Sequence, residues 1–95
     1  MAKYEVVHID KRCIIEQGVI EYHFPYKGYY IRRKRLLNPD QWHGWEVDHC
    51  WKVRATRFAT AKEAMKRMEA IKVGEYKLII DPKAPKIKIV AEYDQ

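Results

Sequence analysis

Phe58-Ala59-Thr60-Ala61-Lys62-Glu63-Ala64-Met65-Lys66-Arg67-Met68-Glu69-Ala70-Ile71-Lys72-Val73-Gly74 is the stretch that decides the fold. Thr60 and Glu63 have the spacing of a capping box, in which the threonine hydroxyl accepts from the Glu63 amide and the carboxylate reaches back to the Thr60 amide. Behind the box, Ala61, Ala64, Met65, Met68 and Ile71 recur at helical spacing and draw one apolar stripe. Phe58 stands near the staple position, and Gly74 stands where a helix ends on a left-handed residue. The pattern predicts a helix over Thr60–Val73, with Lys62, Lys66, Glu69 and Lys72 on its solvated side. A helix with one apolar stripe must bury that stripe against another element.

The rest of the chain supplies strands. Lys3–Asp10 mixes β-branched and polar residues, and Cys13–Ile15 and Val19–Phe24 read as a hairpin turned at Gly18. Pro25-Tyr26-Lys27-Gly28 is a turn in which proline presets one dihedral and glycine accepts a positive one. Tyr29–Leu37 and Trp45–Trp51 read as strands around the turn Asn38-Pro39-Asp40, and Val53–Phe58 continues extended. Beyond the helix, Glu75–Asp81 and Lys86–Tyr93 read as strands joined by Pro82-Lys83-Ala84-Pro85. The expectation is an α+β fold, an antiparallel sheet with one helix packed on one face. The other face is left for solvent, a partner or a second copy of the chain, so a homodimer stays open.

Ninety-five residues suit one small domain spanning 1–95. No stretch is long and apolar enough for a membrane span, and MAKYEVVHIDKRC lacks the apolar run of a signal peptide, so the expected location is cytoplasmic. With no export signal, Cys13 and Cys50 are expected to stay reduced. The net charge of +6 is unevenly placed. Residues 25–58 hold eight basic and three acidic side chains, whereas residues 1–24 hold three basic and four acidic. A basic centre of this kind suits polyanions or an acidic protein surface.

Within Tyr29–Leu37, Tyr29, Ile31, Arg33, Arg35 and Leu37 fall on one face and Tyr30, Arg32, Lys34 and Leu36 on the other. Either face sets cations beside a tyrosine, the arrangement with which a sheet clamps phosphates or reads base edges. Glu46 and Asp48 on the next strand offer partial neutralisation across the ladder. They are too few for Arg32, Arg33, Lys34, Arg35, Arg54 and Arg57, which are the expected nucleic-acid contacts. Among the tryptophans, Trp45 and Trp51 are expected in the core. Trp42, beside His43 and Gly44 in a loop, is expected to be exposed, and Trp42 and His43 are the expected partner contacts.

His8, His23, His43, His49, Cys13 and Cys50 lack the paired spacing of a zinc site, so no metal or other cofactor is expected. No phosphate-cradling glycine loop, nucleophile elbow or spaced Cys–His pair points to catalysis, and the chain reads as a non-enzyme.

Tyr26-Lys27-Gly28, Tyr30-Ile31-Arg32-Arg33, Trp45-Glu46-Val47 and Phe58-Ala59-Thr60-Ala61-Lys62-Glu63-Ala64 resemble the AP2-type module, including the AP2-like N-terminal domains of phage and transposon integrases. The resemblance covers residues 26–72. It implies three antiparallel strands on one helix and duplex DNA bound by laying the sheet into the major groove. Arg32, Arg33, Arg35, Arg54 and Arg57 match the positions of that family's DNA-contacting cations. The chain departs from the pattern by extra strands on both sides, a longer loop over Asn38–Gly44, and the acids Glu46 and Asp48. These departures suit a second expectation, a small phage- or mobile-element-type protein that docks on a host or partner protein, or inhibits it, through Trp42, His43 and the basic face.

Overall fold

Along β4 (Gly28–Lys34) successive side chains enter two different cores, and this alternation sets the architecture. Tyr30 joins Tyr22, Phe24, Trp42, Val53 and Ala55 on one side, while Ile31 joins Phe58, Ala64 and Ile71 on the other. The structure is a computed structural model that describes residues 3–48 and 50–82. The expected strand Lys86–Tyr93, the Lys83-Ala84-Pro85 part of its connector, and His49 lie outside the described residues.

The fold is α+β, with one helix and two sheets among the described residues. The remaining strands are β1 (Lys3–Ile9), β2 (Cys13–Gln17), β3 (Ile20–Phe24), β5 (Gln41–Trp42), β6 (Gly44–Glu46), β7 (Lys52–Ala55) and β8 (Ile79–Ile80). The first sheet has the order β1-β4-β5 and is antiparallel throughout. The second has the order β2-β3-β7-β6-β8, with β3–β7 and β6–β8 parallel. Helix α1 (Ala61–Lys72) covers the Tyr4, Val6, Tyr29 and Ile31 side of the first sheet. The opposite side, expected to be open, packs against the second sheet, so the first sheet is the middle of three layers. Both of its faces can be covered because both faces of β4 carry bulky apolar residues, Tyr30 on one and Tyr29 and Ile31 on the other.

The helix forms as its sequence signals. Thr60 is the N-cap, and its hydroxyl accepts from the Glu63 amide at 3.2 Å. At the other end the Gly74 amide donates to Ile71 O and the Glu75 amide to Ala70 O, with Gly74 at φ +86°, a Schellman closure. Met65, expected in the stripe, is 53% exposed; Ala64 and Ile71 carry the buried face.

Strand lengths differ from expectation for local reasons. Trp45–Trp51 stops at Glu46, because the chain then turns: Asp48 takes φ +52° and the Cys50 amide reaches Val47 O. The turn throws Trp51 outward to 68% exposure, opposite to its expected place in the core. Glu75–Asp81 is strand only at Ile79–Ile80. Gly18 turns the β2–β3 hairpin at φ +66°, as expected. Gly28 does not have a positive φ. It is needed for space, since a Cβ there would lie 2.8 Å from the Arg57 side chain. Gly44 is tighter still: a Cβ would lie 2.2 Å from Arg54 O on the neighbouring strand.

His43, expected in an exposed loop, is fully buried, and so is Trp42. The His43 ring ties three elements. Nδ1 lies 2.8 Å from Leu78 O, which can only accept, so Nδ1 carries the proton. Nε2 lies 3.3 Å from Arg67 Nη1, which can only donate, so Nε2 is the acceptor and the ring is neutral. Leu78 O also accepts from the Gly44 amide at 3.0 Å. The Arg67 guanidinium continues the chain of contacts over the Tyr76 ring, 4.0 Å from its centroid. Burial, reinforced by the Arg67 charge, pushes the His43 pKa below its ordinary 6.5, although the bond to Leu78 O pulls the other way. Among the described residues no helix is long and apolar enough to cross a membrane.

Two outcomes test this packing. Gly44→Ala forces a methyl into the β7 backbone and is expected to lower unfolding free energy by about 2–3 kcal/mol in urea titration, the upper range of core overpacking. For His43, the native state excludes a proton that the unfolded chain accepts. Its contribution is therefore complete above pH 6.5 and is lost as pH falls from there through the lowered native value. The urea midpoint of the wild type is expected to drop across that window, and His43→Gln to start lower and change less.

Candidate functional site

The six cations singled out in the sequence are spread over three surfaces. Arg32 lies at the rim of the inter-sheet core. Its guanidinium donates to Glu5 Oε1 through Nη2 at 2.5 Å and Nε at 3.1 Å, stands 3.7 Å from Asp40, and covers the Trp42 ring. Glu5 is directly opposite Arg32 in the β1–β4 register, and the bond to Arg32 holds its carboxyl below the usual range. For Arg32, neutralisation therefore comes from Glu5 and Asp40. Arg33 is on the helix side, half-buried, with Nη1 3.4 Å from Gln41 Oε1 and Nε buried without a partner among the described residues. Lys34 is exposed at the strand end. Arg35 is bound to Pro39 O through Nε and Nη2. Arg57 is exposed and crosses Gly28 to donate to Lys27 O at 2.7 Å.

Trp42 and His43 are not on a surface at all. Trp42 packs edge-on against Phe24, 4.8 Å between centroids, inside the inter-sheet core. A partner cannot reach either side chain without opening the fold. The expected dock through them is corrected on that ground.

Arg54 belongs to a different surface, the outer face of the second sheet. In Lys52-Val53-Arg54-Ala55, Val53 and Ala55 are buried, and period-two alternation turns Lys52 and Arg54 outward. The same alternation buries Tyr22 and Phe24 on β3 and turns Glu21 and His23 out. On β2 it turns Ile14 and Glu16 out. The ladders then align one residue from each strand in a single row: Ile14, His23, Arg54, Trp45 and Ile80. Trp45, expected in the core, is half-exposed on this face, with the Arg54 guanidinium 5.8 Å from its ring centroid.

Beside the row is an open cleft of about 360 Å³ whose lining, among the described residues, includes Arg12, His23, Tyr26, Lys52 and Arg54 and no carboxylate. Two acids of this face, Glu16 and Glu21, lie toward the β2–β3 turn. Glu21 meets His23 Nε2 at 3.1 Å, and Glu16 is its cross-strand neighbour on β2. Between α1 and residues 73–76 a second groove mixes Lys66 and Arg67 with Glu63, Glu69 and Glu75, so it has no positive excess.

Sequence reasoning did not single out Arg12, His23, Lys52 and Trp45 as site residues. The alternation of Lys52–Ala55 and Glu21–Phe24 held the signal for the outward side chains. Their meeting on one face depends on the parallel β3–β7 pairing, which joins segments about thirty residues apart. Among the described residues no three His, Cys, Asp or Glu side chains gather in a way that would hold a metal ion. Protein-family models, curated proteins and solved structures give no match to the chain, so its role has to be read from its own surface.

Proposed function

We propose that this protein is a non-enzymatic nucleic-acid-binding protein whose ligand lies on the open face of the second sheet. The observation that carries the reading is the cleft lined by Arg12, Lys52, Arg54 and His23, where the adjoining carboxylate, Glu21, is engaged by His23 and the arginines are left in excess. Cations in excess over acids attract a phosphate backbone and release its counterions on binding. Of the cations first expected to make contact, Arg54 keeps that role, while Arg32 is committed to Glu5 and Asp40.

A second reading, a module that docks on another protein, is favoured by Leu36 and Leu37, adjacent residues 82% and 90% exposed just after β4. The two readings separate on charge. In fluorescence-anisotropy titrations with labelled oligonucleotides at low salt, Arg12→Ala/Arg54→Ala is expected to weaken binding about tenfold or more. It is also expected to flatten the logarithmic salt slope by about 0.7–0.9 for each phosphate that the variant no longer neutralises. Leu36→Ser/Leu37→Ser is expected to leave both unchanged. Absence of oligonucleotide binding at low salt, or a double arginine variant that binds like wild type, would overturn the reading and leave protein docking.

A further inference from the structure

We infer that the nucleic acid taken by this face is single-stranded, with a base stacked on Trp45 and the adjoining phosphates held by Arg54 and Arg12. The inference rests on the reading above and narrows its ligand.

Width gives the first reason. The row from Ile14 to Ile80 crosses five strands, and four inter-strand gaps of about 4.8 Å make it about 19 Å across. The major groove of duplex DNA is about 12 Å wide and admits a helix or a two-stranded ribbon, not a sheet face of this breadth.

Charge gives the second. A duplex presents two phosphate rails, and this face offers cations for one. Arg12, Lys52 and Arg54 lie at the cleft, while Glu16 and Glu21 occupy the same face toward the β2–β3 turn, Glu21 directly opposite Lys52. A second rail would be driven against those carboxylates.

The indole gives the third. Trp45 is the aromatic member of the row, flanked by Arg54 on β7 and Ile80 on β8. In a duplex the base faces are covered by their own neighbours and only edges are reachable, so a ring on a sheet surface has no stacking partner. In a single strand every base has a free π-face, and a half-exposed aromatic such as Trp45 beside a backbone-tracking cation can capture it without regard to sequence. The guanidinium over the Trp45 ring already supplies that cation next to the stacking surface.

The test compares a labelled ten-nucleotide oligo(dT) with a labelled twenty-base-pair duplex, each titrated with the full chain at low salt. The single strand is expected to bind at least tenfold tighter. Trp45→Leu is expected to reduce single-strand affinity about tenfold and duplex affinity little, with Trp45→Phe restoring part of the loss. Trp51→Leu, in the turn outside the row, is expected to change neither. Equal or tighter binding of the duplex overturns the inference and leaves nucleic-acid binding standing, as does a Trp45→Leu variant that weakens both ligands alike. Failure of both oligonucleotides to bind removes the parent reading as well. If Trp45→Leu does not fold, the wild-type preference between strand forms and the Trp45→Phe titration still decide.

Discussion

A neutral imidazole with no access to water holds the layers of this protein in register. His43 has one ring nitrogen against Leu78 O and the other against Arg67, so the segment leading into β8 and the helix are both fastened to the β5–β6 junction. Its backbone extends the fastening: the His43 amide donates to Ile31 O on β4, and its carbonyl accepts from the Thr56 amide after β7. The same residue thus touches the middle sheet, the outer sheet and the helix. A proton added at Nε2 would face a guanidinium in a dry site, which is why burial and Arg67 together keep the ring uncharged.

With that register in place, the fate of the arginines follows from which layer each one occupies. β4 is sandwiched, so Arg32 and Arg33 emerge among side chains and not into open solvent. Arg32 closes the end of the inter-sheet core with its guanidinium over the Trp42 ring and its charge on Glu5 and Asp40, so the cation covers apolar surface while its donors are satisfied. β7 belongs to the outer sheet and has one free face. Arg54 and Lys52 therefore stay exposed and become available to a ligand. Positive charge reaches a surface here through layer order, and local sequence density of arginine is a poor guide to it.

The same logic sorts the tryptophans. Trp42 lies on a two-residue strand whose partner, β4, is in the middle layer, and it is buried. Trp45 pairs with Arg54 on the free face of the outer sheet, and Trp51 is carried outward by a turn. Each has a neighbour sequence equally compatible with core or surface, since Trp42-His43-Gly44-Trp45 alternates without polar contrast. Placing Trp42 outside and Trp45 in the core inverts what three layers require. Gly44 shows why the surrounding chain leaves little freedom: the β7 backbone passes so close that no side chain fits between the two tryptophans on that side.

What the sequence determined by itself was whatever rests on contacts close along the chain. Thr60 and Glu63 set the start of the helix, Gly74 its end, and Gly18 the first hairpin, because each is decided by bonds spanning a few residues. Tertiary structure decided the rest. Splitting the strands into two stacked sheets depends on the parallel pairing of β3 with β7 and on β1 crossing to β4, contacts whose partners lie far apart in the chain. Period-two alternation assigns a side chain to one of two faces but does not say what covers that face. For Arg32, Trp42, His43 and Trp45 the covering layer, supplied from elsewhere in the chain, made the difference between a buried support and a surface open to a ligand.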